Sequence, residues 1–311
     1  MFSYVGRRLL LLIPISLGVS GLVFLLIHLS PGDPARTYLG NHATPAALAA
    51  VRHSWGLDRP LLAQYGSFLG HLLRGRLGES LYYNSSVSEL IAGRLPVTLL
   101  LLVFATVLSV LISVPLAALA AVKRNSLLDH LVRALPMIGL GMPSFWVGTI
   151  LILLFSLKVR VFPVGGYGAS FSDHLYSMTL PGLTVAVSMV PMLVRSLRSS
   201  MIEALSSEYV AFGRSKGLPA HAVLVSYGLR NAAISAVSVL GINVGFLVGG
   251  TLVIENVFAL PGLGSLMIEA IFKRDFPVVQ GVALLFAVIT VLVFLLTDVT
   301  YALLDPRVRP A

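Results

Sequence analysis

Residues Glu203–Asn231 read EALSSEYVAFGRSKGLPAHAVLVSYGLRN, a polar, basic, glycine-hinged segment between two strongly apolar runs. Almost everything on either side has the composition of lipid-embedded helix. Ile202, Leu205, Tyr209 and Phe212 recur at three- and four-residue spacing, which predicts a short amphipathic helix. Glu203 and Glu208 lie off that stripe, and Gly213, Gly217 and Pro219 break it afterwards. The reading is a rigid helix, Glu203–Phe212, ending in a flexible turn that bears Arg214 and Lys216. A free-standing helix this short is marginal in water and needs a partner. One candidate is the lipid headgroup layer. The other is a soluble protein, favoured because an anionic bilayer repels the acids that stand beside the bases.

Working outward, 57% of the 311 residues are hydrophobic and only 11% are charged, where soluble domains carry roughly a quarter. Mean hydropathy is +0.91. The chain is an integral membrane protein. Its net charge of +9 is scattered over short loops rather than gathered with aromatics in one stripe, so no nucleic-acid partner is expected. Basic loops facing an anionic leaflet account for the charge. The absence of cysteine excludes disulfides and thiolate chemistry.

Apolar runs lie near residues 9–29, 96–121, 134–157, 178–194, 232–255 and 278–304, each close to the ~20 residues that cross a bilayer. The first follows Arg7-Arg8; it is longer than a signal h-region and has no A-x-A site, so a retained span is expected. The fourth carries Pro181 and Pro191, tolerable where neighbours re-satisfy the freed carbonyl. Arg7, Arg8, Lys123, Arg124, Arg133, Arg195, Arg198, Arg214, Lys216, Arg230, Arg307 and Arg309 fall on one side of these six spans. Only Lys158, Arg160, Lys273 and Arg274 fall in the short loops of the other. The bias puts both termini and the 198–230 loop in the cytoplasm.

Segment 30–95 reads as a small external helical cap within a single domain spanning 1–311; no fixed-period repeat or low-complexity linker divides the chain. Thr44 is a good N-cap with Pro45 behind it, and Gly56 stops that helix. A second helix begins at Pro60, with Leu61, Tyr65, Phe68, Leu69 and Leu72 on one face to be buried.

Catalytic constellations are missing. The histidines are dispersed, and there is no H-E-x-x-H, G-x-S-x-G or G-x-x-x-x-G-K-[ST] string. Among intramembrane acids only Asp298 lies inside a span, and Glu255 sits at the outer end of the fifth. Asp298 is read either as a carboxylate paired near the interface or as part of a pathway, and one acid does not make a relay. Span five carries Gly241, Gly245, Gly249 and Gly250, a stripe that lets another helix approach closely. That helix belongs either to the same bundle or to a second subunit across a shared pathway, which Asn243 would also face.

At this point the residues are similar to a family. The Glu203–Gly217 segment resembles the coupling (EAA) loop of permease subunits in bacterial binding-protein-dependent ABC importers, and the whole chain resembles the dipeptide/oligopeptide/nickel-type permeases. The matches include Tyr4-Val5-Gly6-Arg7-Arg8, Pro31-Gly32-Asp33-Pro34-Ala35, Gly56-Leu57-Asp58-Arg59-Pro60-Leu61, Pro143-Ser144-Phe145-Trp146, Gly165-Gly166-Tyr167-Gly168, Leu229-Arg230-Asn231-Ala232, Pro261-Gly262-Leu263-Gly264 and Asp305-Pro306-Arg307-Val308-Arg309. The family's loop usually runs close to Y-x-R-T-A-R-A-K-G; here one customary Arg is Ala211, a small Ala is Gly213, and the proline usual after Asn231 is replaced around Ser235.

The resemblance implies an all-α fold of six transmembrane helices, the type I ABC importer permease fold, in the bacterial inner membrane. It implies partners: a second homologous permease, two cytoplasmic ATPases that carry the ATP and Mg, and an external solute-binding protein. No cofactor or metal is implied on this chain, which is not itself an enzyme. It assigns Glu203, Ala204, Leu205, Glu208, Tyr209, Phe212, Gly213, Arg214, Ser215, Lys216 and Gly217 to the ATPase-coupling loop. Gly241, Asn243, Gly245, Gly249, Gly250, Glu255 and Asp298 become candidates for permease–permease packing or the pathway. Peptide is the expected cargo; a nickel chelate, glutathione, haem or an oligosaccharide are the alternatives.

Overall fold

The structure, a computed structural model, describes residues 6, 10–29, 33–40, 43–80, 82–139 and 141–304. Arg7, Arg8, Arg307, Arg309 and the motifs around residues 4–9, 31–32 and 305–309 lie outside the described residues. In chain order the helices are α1 (Leu12–Leu29), α2 (Pro34–Leu39), α3 (Pro45–Ser54), α4 (Leu61–Leu73), α5 (Val87–Val122), α6 (Leu127–Gly139) and α7 (Ser144–Lys158). They continue with α8 (Phe171–Ser177), α9 (Thr179–Leu205), α10 (Glu208–Ser215), α11 (Ala220–Val257), α12 (Leu263–Lys273) and α13 (Phe276–Leu304). The last seven residues of α7 and Val223–Leu229 of α11 are π-helical. Among the described residues the only β pairing is an isolated bridge between Glu79 and Ser86.

Four of these helices, α5, α9, α11 and α13, are long and apolar enough to cross a membrane. Two shorter apolar helices, Ile13–Leu25 and Ser144–Lys158, fall on the first and third apolar runs. At 36 residues, α5 is about 54 Å long, well beyond the ~30 Å hydrocarbon layer. The fourth run extends past its apolar limit: α9 continues through Pro191 to Leu205 before Ser206 caps it.

The chain forms two compact units. One comprises Leu99–Leu260 and the segment from Thr290 onward. In it α9 is the hub, packed against α6, α7 and α11. Its core joins Ala117, Ala120 and Ala121 of α5, Val132 of α6, Val190, Val194, Leu197 and Met201 of α9, and Ala232 of α11. Small residues let these helices meet, as expected where lipid offers no hydrophobic drive of its own. A Cβ on Gly241 would stand 2.2 Å from Thr297 Oγ1, and one on Gly245 would stand 2.8 Å from the Phe294 ring. Both glycines therefore pack on α13 of the same chain, whereas a Cβ on Gly249 would meet nothing within 4 Å. The buried ring of Phe258 lies beside Gly148, and its carbonyl accepts the Gly166 N–H at 2.9 Å.

The other unit comprises Gly6–Thr98 and Pro261–Ile289. Thr44 caps α3 as its sequence predicts, accepting the Ala47 N–H at 3.2 Å, and the chain turns at Gly56 with φ +67°. α4 has no buried residue; Leu61 is exposed, so the expected apolar face is only partly covered. Tyr65 anchors α4 to α1, donating to the Leu17 carbonyl at 3.1 Å, with its ring tilted against that of Phe24 at 5.3 Å. Buried Asp275 accepts from Ser80 Oγ and from the Tyr82 N–H, and Lys273 lies 3.7 Å over the Tyr82 ring.

Two glycines separate close packing from open space. A Cβ on Gly165 would lie 2.5 Å from the Phe258 carbonyl oxygen, so Gly165→Ala is expected to cost about 1–3 kcal/mol by overpacking. Gly249→Ala faces open space and gains helix propensity worth about 0.5–1 kcal/mol. Thermal unfolding in detergent should place Gly165→Ala below wild type and Gly249→Ala at or above it. Equal midpoints for Gly165→Ala and wild type would show that this loop is not sealed on Phe258.

Candidate functional site

The segment that decides the sequence reading folds as two helices rather than one. α9 ends at Leu205 and α10 begins at Glu208, with Ser206 and Ser207 forming the corner. The hydroxyls explain the break: Ser206 Oγ donates to the Ile202 carbonyl at 2.8 Å, and Ser207 Oγ donates to that of Ala204. Serine side chains that take up helix carbonyls compete with continuation of the helix. The expected rigid element Glu203–Phe212 is thereby corrected. Glu203, Ala204 and Leu205 belong to the end of α9, whereas Glu208, Tyr209, Phe212, Gly213, Arg214 and Ser215 belong to α10.

The predicted stripe divides accordingly. In α10 the buried positions are Val210 and Gly213, while Tyr209 and Phe212 are 49% and 62% exposed. Gly213 does not break the helix; it lets Leu218 close over it, since a Cβ would stand 3.1 Å from Leu218 Cδ1. The break falls at Gly217, with φ +82°, whose N–H donates to the Arg214 carbonyl at 2.9 Å. Lys216 Nζ lies 4.4 Å over the Phe212 ring, and Ser215 Oγ donates to the Phe212 carbonyl. α10 thus presents an exposed Phe212 flanked by Arg214 and Lys216, with a half-exposed Tyr209 and Glu208 in its first turn.

Its inner side is held by the start of α11. α10 packs on the π-helical segment Val223–Leu229. The Tyr209 and Tyr227 rings lie 6.0 Å apart, and Asn231 Nδ2 donates to Tyr209 Oη at 3.1 Å and to the Tyr227 carbonyl at 2.7 Å. Beside this joint is a cleft of about 600 Å³ lined by Ser196, Ser200 and Glu203 of α9, and by Asn231, Ser235 and Ser238 of α11. Ser200 and Ser235 hydrogen-bond across it at 2.7 Å.

A second anchor was not legible in the sequence. Asp129, at the start of α6 and fully buried, is gripped by Arg198 of α9 through two hydrogen bonds, that from Nη2 being 2.8 Å. The Asn125 N–H adds a third at 2.9 Å, and Arg133 lies 3.8 Å away. The guanidinium of Arg198, helped by that N–H and opposed by burial, lowers the Asp129 carboxyl from 3.8 to about 2. Such fork-to-fork pairing fixes orientation as well as energy. Only a buried acid 69 positions from its arginine carries the signal, and no local spacing reveals it.

The remaining candidates do not join this site. Gly241 and Gly245 are packed on α13; Gly249 and Gly250 are not. Asn243 Nδ2 donates to the Val239 carbonyl of its own helix at 2.7 Å. Glu255 is fully buried near the end of α11, and Asp298 is half-buried in α13. Among the described residues no three His, Asp or Glu side chains are grouped to hold a metal ion.

Four helices of membrane-crossing length and apolarity, two of them joined through a polar corner, are those of a multi-pass membrane protein. Family models for the inner membrane component of binding-protein-dependent transport systems match residues 113–310, and for its N-terminal part residues 1–102. The chain belongs to this family. It is 39% identical over 309 residues to a glutathione transport system permease protein of Salmonella typhimurium, covering 99% of each chain. It is 38% identical over 313 residues to a protein named as a peptide transport system permease in Brucella abortus, again covering 99% of each.

The Asp129–Arg198 pair has a testable pH signature. Because the folded carboxyl lies below its unfolded value, the pair stabilises the chain above pH 3.8 and loses that contribution as pH falls toward 2. Thermal midpoints in detergent between pH 5 and pH 2.5 should fall steeply for wild type and more gently for Asp129→Asn, which starts lower. Parallel curves would show that Asp129 is not held in this way.

Proposed function

We propose that this chain forms half of the translocation pathway of an ATP-driven importer of short peptides. The observation that carries the reading is α10: a short helix that Tyr209 fastens to α11 and that leaves Phe212, beside Arg214 and Lys216, exposed. In this reading a cytoplasmic ATPase grips the outer face of α10, and a second homologous permease supplies the other half. The chain spans the inner membrane six times in the type I importer arrangement, with both termini cytoplasmic. Segment 30–95 stands outside, where a solute-binding protein delivers cargo. ATP and Mg act on the two ATPase subunits. The chain supplies the path and the lever.

The corner at Ser206-Ser207 changes how that lever works. α10 and α9 are not one rod, so motion of α10 passes first to α11 through Tyr209, Tyr227 and Asn231. The Asp129–Arg198 pair then makes α6 follow α9. Peptide is favoured as cargo by relatives named for glutathione and peptide transport. A nickel chelate, haem or an oligosaccharide would use the same machinery.

Uptake of a labelled dipeptide and pentapeptide, in cells with and without this gene, tests the reading. Import should vanish on deletion and return with wild type. It should not return with Gly217→Pro, which cannot adopt φ +82° and loses the N–H to Arg214, nor with Tyr209→Asp, although both should insert normally. Unchanged uptake after deletion removes peptide as cargo; full transport by both variants removes the coupling assignment.

A further inference from the structure

The unit containing Gly6–Thr98 and Pro261–Ile289 has an open cavity of about 920 Å³ that the coupling mechanism does not use. Its size is that of small-molecule sites, roughly 300–1,000 Å³. Aromatic walls come from Tyr38 and Trp55, which pack edge to face at 5.1 Å. Charge of both signs comes from Arg59, Arg76 and Glu79. Arg52 also lines it but is committed to Asp33 at 2.5 Å, whereas no ion pair joins Arg59, Arg76 or Glu79 to any described residue. Gln280, in the second turn of α13, faces the same space. Only 9% exposed, its amide has no hydrogen-bond partner among the described residues. An amide that opens on a cavity can donate to and accept from a bound molecule.

We infer that this cavity is a receiving site for a short peptide with free ends, held by the permease itself. The peptide carboxylate pairs with Arg59 and Arg76, and its ammonium group with Glu79. The Gln280 amide, donor and acceptor at once, meets a peptide bond, and the aromatic walls take side chains. Guanidinium is suited to carboxylate in particular, because its fork matches the two oxygens. The inference rests on the peptide reading of the preceding section and adds to it a cargo site on this chain.

The test is equilibrium binding of radiolabelled trialanine to the purified full-length chain in lipid nanodiscs, without binding protein or ATP, alongside trialanine uptake by cells. Wild type should bind saturably, and N-acetyl-trialanine amide should not compete. Gln280→Leu and, independently, Arg76→Glu should each weaken binding by about tenfold or more. Arg76 is exposed, so its replacement keeps the test valid should Gln280→Leu fail to fold. No binding by wild type, equal competition by the blocked peptide, or wild-type affinity in Arg76→Glu overturns the site. If trialanine uptake persists in that case, the cavity alone is wrong; if uptake is absent as well, the peptide reading falls with it.

Discussion

Hydrocarbon offers no partner to a peptide N–H or carbonyl, and the rest of this structure follows from that constraint. It forces the apolar runs into helices, and it obliges any break among them to be sealed by protein. The seal after α7 is made by backbone: Gly165 and Gly166 lie against the carbonyl of Phe258, an approach no side chain would permit. The break after α9 is made differently, with Ser206 and Ser207 returning hydroxyls to carbonyls that the helix leaves behind. These are two solutions to one accounting problem. The first closes a loop against the bundle, and the second turns a corner toward α10.

Rigidity is then distributed unevenly. A bidentate ion pair with a fully buried carboxylate, Asp129–Arg198, binds its two helices in one orientation, and removing the arginine would strand that charge. The joint between α10 and α11 is softer: an aromatic contact, an amide hydrogen bond and a π-helical turn whose wider winding accommodates Gly228 against Leu205. A force applied to α10 therefore meets compliance first and stiffness later. That order suits the lever role proposed for α10.

Much of this was legible in the sequence because its causes are local. Run length and hydropathy placed the long apolar helices, Thr44 placed an N-cap, and the Glu203–Gly217 pattern marked the polar segment between two of them. What was not legible depends on distance. The stripe of Ile202, Leu205, Tyr209 and Phe212 has helical spacing throughout, yet a two-serine corner divides it, because side-chain competition for carbonyls has no signature in periodicity. Gly213 reads as a breaker but is a packing site for Leu218. Gly241 and Gly245 match Gly249 in pattern and differ from it only in what α13 brings opposite them. Asp129 and Arg198 look like ordinary loop charges until the fold brings them together.

The placement of Glu203 separates two roles that sequence proximity had merged. Glu203 and Glu208 both belong to the polar segment, but they lie on different helices. Glu208 sits in the first turn of α10, where its charge favours that helix's N-terminal dipole. Glu203 lines the cleft between α9 and α11 and is the only charged residue there among those described. The serines around it are largely satisfied, by each other or by their own helix: Ser200 with Ser235, Ser207 with Ala204, Ser235 with Ala232. Their side chains make a polar wall, to which Glu203 adds a single carboxylate.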